Sequence, residues 1–187
     1  QLAIADTRKG AEARQILHEP VADADLAGWA VGQAVTAQID ATRRQAHRRF
    51  HTATHLLQAA LRQVLGGHVQ QKGSLVNEKL LRFDFSHDGK MTPEEIKRVE
   101  DIVNENIKNN LKVTREEVPY EKAREMGAIG VFDNKYGEMV SVYHVGDFSL
   151  EFCGGPHVES TGNMGTFKIT KEEAVSQGVR RIKAVLE

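Results

Sequence analysis

Two short motifs set the terms for this chain: His51-Thr52-Ala53-Thr54-His55 and, much later, Cys153-Gly154-Gly155-Pro156-His157. Each carries two metal-capable side chains with three residues between them. Around the first motif, Phe50, Leu56, Leu57, Ala60, Leu61 and Val64 form a broad apolar face, and Gly66-Gly67 supplies a stop, so a helix is predicted over 50–65. On that helix His51 and His55 stand at i and i+4, close together on one face, a usual way to offer two nitrogens to zinc. The second motif follows directly on Phe148–Phe152, which reads as a strand. Its glycines let the backbone turn tightly and Pro156 stiffens the turn. A fold that unites the four side chains must bring the turn after a late strand onto the face of an early helix.

The chain of 187 residues suits one compact domain with a small attachment, and 40% hydrophobic residues suffice for a core. A net charge of −1 excludes a generally basic nucleic-acid binder, so any such contact must come from a local patch. One cysteine rules out an internal disulfide and suits a reducing, cytoplasmic compartment. No apolar run reaches the roughly 18 residues of a membrane helix, and there is no signal-peptide pattern. The chain starts at Gln1, inside what reads as a strand, and is expected to be a piece of something longer.

Residues 1–42 read as an incomplete β segment, with strands expected at Leu2–Ala5, Ala13–His18 and Gln33–Asp40. Such a segment either packs on the rest or is part of a small barrel. Arg43, Arg44, Arg48 and Arg49 then form the densest positive cluster in the chain. It is either a solvated linker or helix start, or a set of phosphate contacts near the site that follows. Residues 68–76 read as strand and turn. In 79–85, Leu81, Phe83 and Phe85 alternate with Arg82 and Asp84, as in a strand with one buried face. Thr92-Pro93-Glu94-Glu95 opens a second helix with a capping box, ending near Asn109-Asn110. Strands follow at 113–118, 139–145, 148–152, 165–170 and 179–186, with a short helix over 120–126 ended by Gly127. The expected fold class is α+β: a mostly antiparallel sheet packed with two longer helices, preceded by part of a small β-barrel.

His51, His55, Cys153 and His157 together make a His₃Cys set for one metal ion. A closed set of four usually marks structural zinc, whereas catalysis needs an open position. A metal-free pair, with Cys153 activated by His157, is the other chemistry these residues allow, though it leaves His51 and His55 idle.

Several stretches then match a known pattern in order: His51–Leu57, Gln71-Lys72-Gly73-Ser74-Leu75-Val76, Leu81–His87, Gly146–Ser149, Cys153-Gly154-Gly155, Thr161-Gly162 and Gly178–Ile182. With them, 43–187 resembles the editing domain of bacterial alanyl-tRNA synthetase and of free-standing alanyl-tRNA editing proteins. Residues 1–42 resemble part of the small β-barrel that precedes it. The resemblance implies hydrolysis of the ester joining serine or glycine to tRNA(Ala), with zinc as cofactor and His51, His55, Cys153 and His157 as its ligands. It implies catalytic roles for Gln71, Cys153, His157 and Arg180, and substrate contacts from Gln71, Gly73, Ser74 and Arg180. The partners implied are mischarged tRNA(Ala) and the remaining synthetase domains, including the ATP-binding part, with no membrane. Pro156 departs from the alanyl pattern, which usually has threonine there. Cys-x-Gly-Pro-His is similar to the threonyl-tRNA synthetase editing domain, which shares the fold. A threonyl-type editor acting on Ser-tRNA(Thr) and a structural-zinc RNA-binding module are the alternatives.

Overall fold

The computed structural model describes residues 2–11, 15–130 and 138–187. It divides into two compact units, Gln1–Gln38 and Ile39–Glu187.

In the first unit, β1 (Ile4–Lys9) and β2 (Ile16–Pro20) form an antiparallel hairpin. Asp6 to Lys9, beyond the strand expected at Leu2–Ala5, form the body of β1. Cross-strand pairs hold it there: Arg8 with Glu19, and the Thr7 hydroxyl with His18 Nδ1 at 3.0 Å. Of the expected strand Ala13–His18, Ala13 and Arg14 lie outside the described residues and the rest shifts to β2. The strand expected at Gln33–Asp40 is absent. Val35 and Ile39 are exposed there, no neighbouring strand among the described residues pairs with it, and Asp40 does other work. Among the described residues, this unit contains no closed barrel.

Asp40 caps the helix α1 (Ala41–Leu65), its side chain accepting the Arg43 N–H at 2.9 Å. No Gly or Pro interrupts the next 25 residues, and Gly66 ends them at φ 115°. α1 is therefore longer at its N-terminus than the apolar pattern predicts, because only the part from Phe50 onward is packed. Phe50, Ala53, Leu56, Leu57, Ala60 and Leu61 are all buried.

The single expected sheet is divided. β3 (Gln71–Val76), β4 (Leu81–Ser86), β8 (Phe167–Ser176) and β9 (Val179–Leu186) form one antiparallel sheet in the order β3-β4-β9-β8. β5 (Val113–Pro119), β6 (Met139–Val145) and β7 (Ser149–Phe152) form another, in sequence order. Helix α2 (Pro93–Lys108) starts at the capping box read from sequence: Glu95 N–H to Thr92 Oγ1 at 3.1 Å, and Thr92 N–H to Glu95 Oε2 at 2.8 Å. A short α3 (Tyr120–Glu125) ends at Gly127, φ 80°.

The main core joins both long helices to the four-stranded sheet through Leu56, Leu57, Leu61, Phe83, Phe85, Val103, Phe167 and Ile182. A smaller core of Val118, Ala123, Val140, Val142 and Phe152 lies under α3. α1 touches β3, β4, β6 and β7, so it is the element that reaches strands of both sheets. Removing the fully buried Phe83 ring (Phe83→Ala) is expected to cost about 3–5 kcal/mol in denaturant unfolding. Thr92→Ala, which breaks only the cap, is expected to cost about 1 kcal/mol in the same measurement.

Candidate metal centre

β7 alternates in the usual way, so Ser149 and Glu151 share a face that Cys153 continues, while Phe152 turns to the small core. Cys153 N–H is anchored on Ser141 O of β6 at 3.0 Å. The following turn lies against α1. Gly155 passes so close to His51 that an added Cβ would stand 2.2 Å from its Cε1, so only glycine fits. Between the two ligand histidines, the buried Thr52 hydroxyl receives the Val158 N–H at 3.3 Å and meets His157 Nδ1 at 3.0 Å.

The four side chains converge: ligand-capable atoms of His51, His55, Cys153 and His157 all lie within 4.8 Å of one another. Cys153 Sγ is 3.3 Å from His51 Nε2 and 3.4 Å from His157 Nε2. Ligands on a tetrahedral zinc ion would stand about 3.6 Å apart given its usual bond lengths.

Two of the imidazoles are hydrogen-bonded from behind, and the third faces a carboxyl group. His51 Nδ1 lies 3.1 Å from Pro156 O. A carbonyl only accepts, so Nδ1 carries the proton and Nε2 presents a lone pair inward. His157 Nδ1 is held by Thr52. His55 Nδ1 faces Glu151 Oε2 at 3.7 Å and has no hydrogen-bond partner. Ser149 Oγ fixes the other carboxyl oxygen of Glu151 at 3.0 Å. Outer partners of this kind orient metal-binding histidines and set their tautomer.

Burial sets the charges. It lowers His55 to about 3, helped by His51, and lowers His157 to about 2, helped by His55 and His51. His51 is lowered by burial against the opposing Pro156 carbonyl. Burial raises the Cys153 thiol, against the Gly155 N–H, and pushes the Glu151 carboxyl up to about 8. At neutral pH the metal-free cluster is therefore uncharged, and His55 meets a protonated carboxyl rather than an ion partner. A thiolate–imidazolium pair is disfavoured on both sides, which weighs against a Cys–His nucleophile. Three neutral nitrogens and one sulfur fit a borderline-soft divalent ion and are consistent with zinc.

Beside the cluster, His47, His51, Ser74, Val76 and Pro156 line a cavity of about 310 Å³. Ser74 is thus next to a candidate ligand. Gln71 opens β3 opposite Phe85, which in turn pairs with Arg180; it is not among the cavity's lining residues. Gly73 lies against Asp84, whose carboxylate would be 3.1 Å from an added Cβ. Asp84, expected on an open face, is buried because Arg181 pairs with both its oxygens at 2.6 and 2.7 Å. Arg180 donates from Nε to Glu172 Oε1 at 2.6 Å, within the sheet.

Residues 140–183 match the family model described as the threonyl and alanyl tRNA synthetase second additional domain. The match supports a synthetase-associated editing domain. It runs from β6 into β9 and contains Glu151, Cys153 and His157, and one model serves both amino-acid specificities. Among the described residues no helix is long and apolar enough to cross a membrane.

Sequence reasoning missed Thr52, Glu151, His47 and Tyr143, whose ring lies 4.2 Å from that of His157. Two carried a signal: Thr52 sits between the ligand histidines, and Glu151 is an acid inside an apolar strand, on the Cys153 side of its alternation.

The shifts fix a pH profile for metal-free stability. The folded chain keeps the Glu151 proton above the ordinary 4.5, so that contribution is full below pH 4.5 and is lost as pH rises through about 8. The histidines contribute above their ordinary 6.5 and lose it as pH falls towards about 3 and about 2. Chelator-treated protein should therefore be most stable near pH 6.5 on thermal melting, with a decline of about 2 kcal/mol towards pH 8. Glu151→Gln should remove the alkaline decline; its persistence would show that the carboxyl does not hold a proton there.

Proposed function

We propose that the chain hydrolyses the ester joining serine or glycine to tRNA(Ala), with zinc held by His51, His55, Cys153 and His157, as the editing part of a cytoplasmic alanyl-tRNA synthetase. On this reading 43–187 is the editing domain and 1–42 part of the preceding barrel. The observation that carries it is the convergence of three imidazoles, two of them hydrogen-bonded from outside, and one thiol beside a cavity that His51 lines. Zinc bound there would supply Lewis acidity towards an ester carbonyl or a water. The protein's own groups hold and orient. The Pro156 carbonyl and Thr52 hold His51 and His157, and Glu151 faces His55. In the reaction water oxygen adds to the ester carbonyl carbon, the bond to the ribose oxygen breaks, and the proton passes to that oxygen.

Ser74, on the cavity wall, and Gln71 are assigned to hydrogen bonds with the amino group or the serine hydroxyl. Gly73 gives the strand its close approach to Asp84, and Arg180 orients the row of side chains it shares with Gln71. Such a site has a physical purpose. An alanine pocket rejects serine or glycine poorly, because one small group is worth only about 1–3 kcal/mol. A second site that hydrogen-bonds the hydroxyl separates serine from alanine.

The stretches around Gly73 and Phe83 favour the alanyl assignment. Pro156 favours a second reading, a threonyl-type editor, which would prefer Ser-tRNA(Thr). The closed set of four protein ligands favours a third, a structural-zinc RNA-binding module, which would bind tRNA without deacylation.

Incubating Ser-tRNA(Ala) with the chain should release serine faster than from Ser-tRNA(Thr), and Cys153→Ala should reduce the rate at least a hundredfold. Full activity in that variant removes the assignment, and a reversed tRNA preference selects the threonyl reading. One equivalent of zinc by elemental analysis is expected in the wild type, and much less in Cys153→Ala.

A further inference from the structure

The N-terminal half of α1 carries a feature that the metal centre does not use. Arg44, Arg48, His51 and His55 stand at i, i+4, i+7 and i+11, which is one straight row along the helix. α1 contains no Asp or Glu. Beside the row, Arg43 and His47 both approach Glu78 Oε2 at 3.7 Å. Arg49 points elsewhere, donating from Nε to Met164 O at 2.9 Å.

Several basic groups elsewhere are neutralised within the chain, and Arg44 and Arg48 are not. Arg180 is neutralised by Glu172, Arg181 by Asp84, and Lys171 and Lys183 by Glu173. Among the described residues, neither Arg44 nor Arg48 has a carboxylate partner. Arg44 is exposed; Arg48 is half-buried, and its Nε is shielded from water without an acceptor. A buried donor of this kind is costly unless something outside the chain accepts from it.

The spacing identifies the acceptor. Four residues of helix separate the two arginines by about 6 Å along the axis, and Arg48 precedes His51 by about 4.5 Å. Successive phosphates of a single nucleic-acid strand repeat on the same scale. Guanidinium pairs with phosphate by two parallel hydrogen bonds. We propose that Arg44 and Arg48 bind successive phosphates of the single-stranded 3′ end of the substrate RNA, so that the strand runs along α1 and delivers its terminal ester to the cavity beside His51. This rests on the editing reading, and it assigns the strand's direction as well as its contacts. On a chain of net charge −1, this unneutralised row supplies the local attraction that overall charge does not.

The test uses the full chain, Arg44→Gln, Arg48→Gln and the double variant, with Lys97→Gln on α2 as a control for loss of one positive charge elsewhere. Binding of uncharged tRNA is measured over a range of salt concentrations. The slope of log affinity against log salt should become shallower by about 0.7 for each arginine replaced, and Lys97→Gln should leave it unchanged. In parallel, kcat/KM is measured for Ser-tRNA(Ala) and for the seryl ester of adenosine, which has no phosphate. The ratio of the two should fall about tenfold in the double variant. An unchanged salt slope, or equal losses on both esters, overturns the proposal. A wild-type chain that binds tRNA with an arginine-dependent slope yet releases serine from neither ester refutes the editing reading and supports the phosphate row.

Discussion

The seam between α1 and the turn after β7 is the contact on which the rest of the unit depends. Thr52 is fully buried, and its hydroxyl serves both His157 and the Val158 N–H. His51 reaches across the same seam to the Pro156 carbonyl. Polar groups enclosed in this way must be paired, so a shift of the turn by one residue would strand several of them at once. The apolar packing of α1 on both sheets is non-directional. The polar seam fixes the register, and with it the meeting point of four ligand-capable atoms.

The cluster is kept neutral by its own burial. Its imidazoles cannot hold protons near neutral pH, and its thiol and carboxyl resist losing them. Such a group is poorly suited to proton shuttling by itself and well suited to receiving a cation, because each neutral imidazole has one nitrogen with a free lone pair. The arrangement also separates tasks along α1. Its packed half carries His51 and His55, and its start carries Arg44 and Arg48, which have no carboxylate partner among the described residues.

The convergence of the four side chains could be read from the sequence because both spacings are local: i and i+4 on a helix, and a glycine-rich turn after a strand. The second helix was equally legible through Thr92, Pro93 and Glu95, whose bonding is confined to one turn. What failed was non-local. The strand expected at Gln33–Asp40 had some of the right residue types and no partner to pair with. The division into two sheets depends on pairing that no single strand announces. Asp84 is buried only because Arg181, far along the chain, lies opposite it in the ladder. The outer partners Thr52 and Glu151 were overlooked because their roles appear only when two distant elements meet.

Pro156 meets His51 through its carbonyl oxygen and is also a lining residue of the neighbouring cavity. A main-chain anchor does not depend on which side chain stands at its position. Any residue that keeps the same turn therefore preserves the anchor of His51, so position 156 can vary in sequence without disturbing the seam.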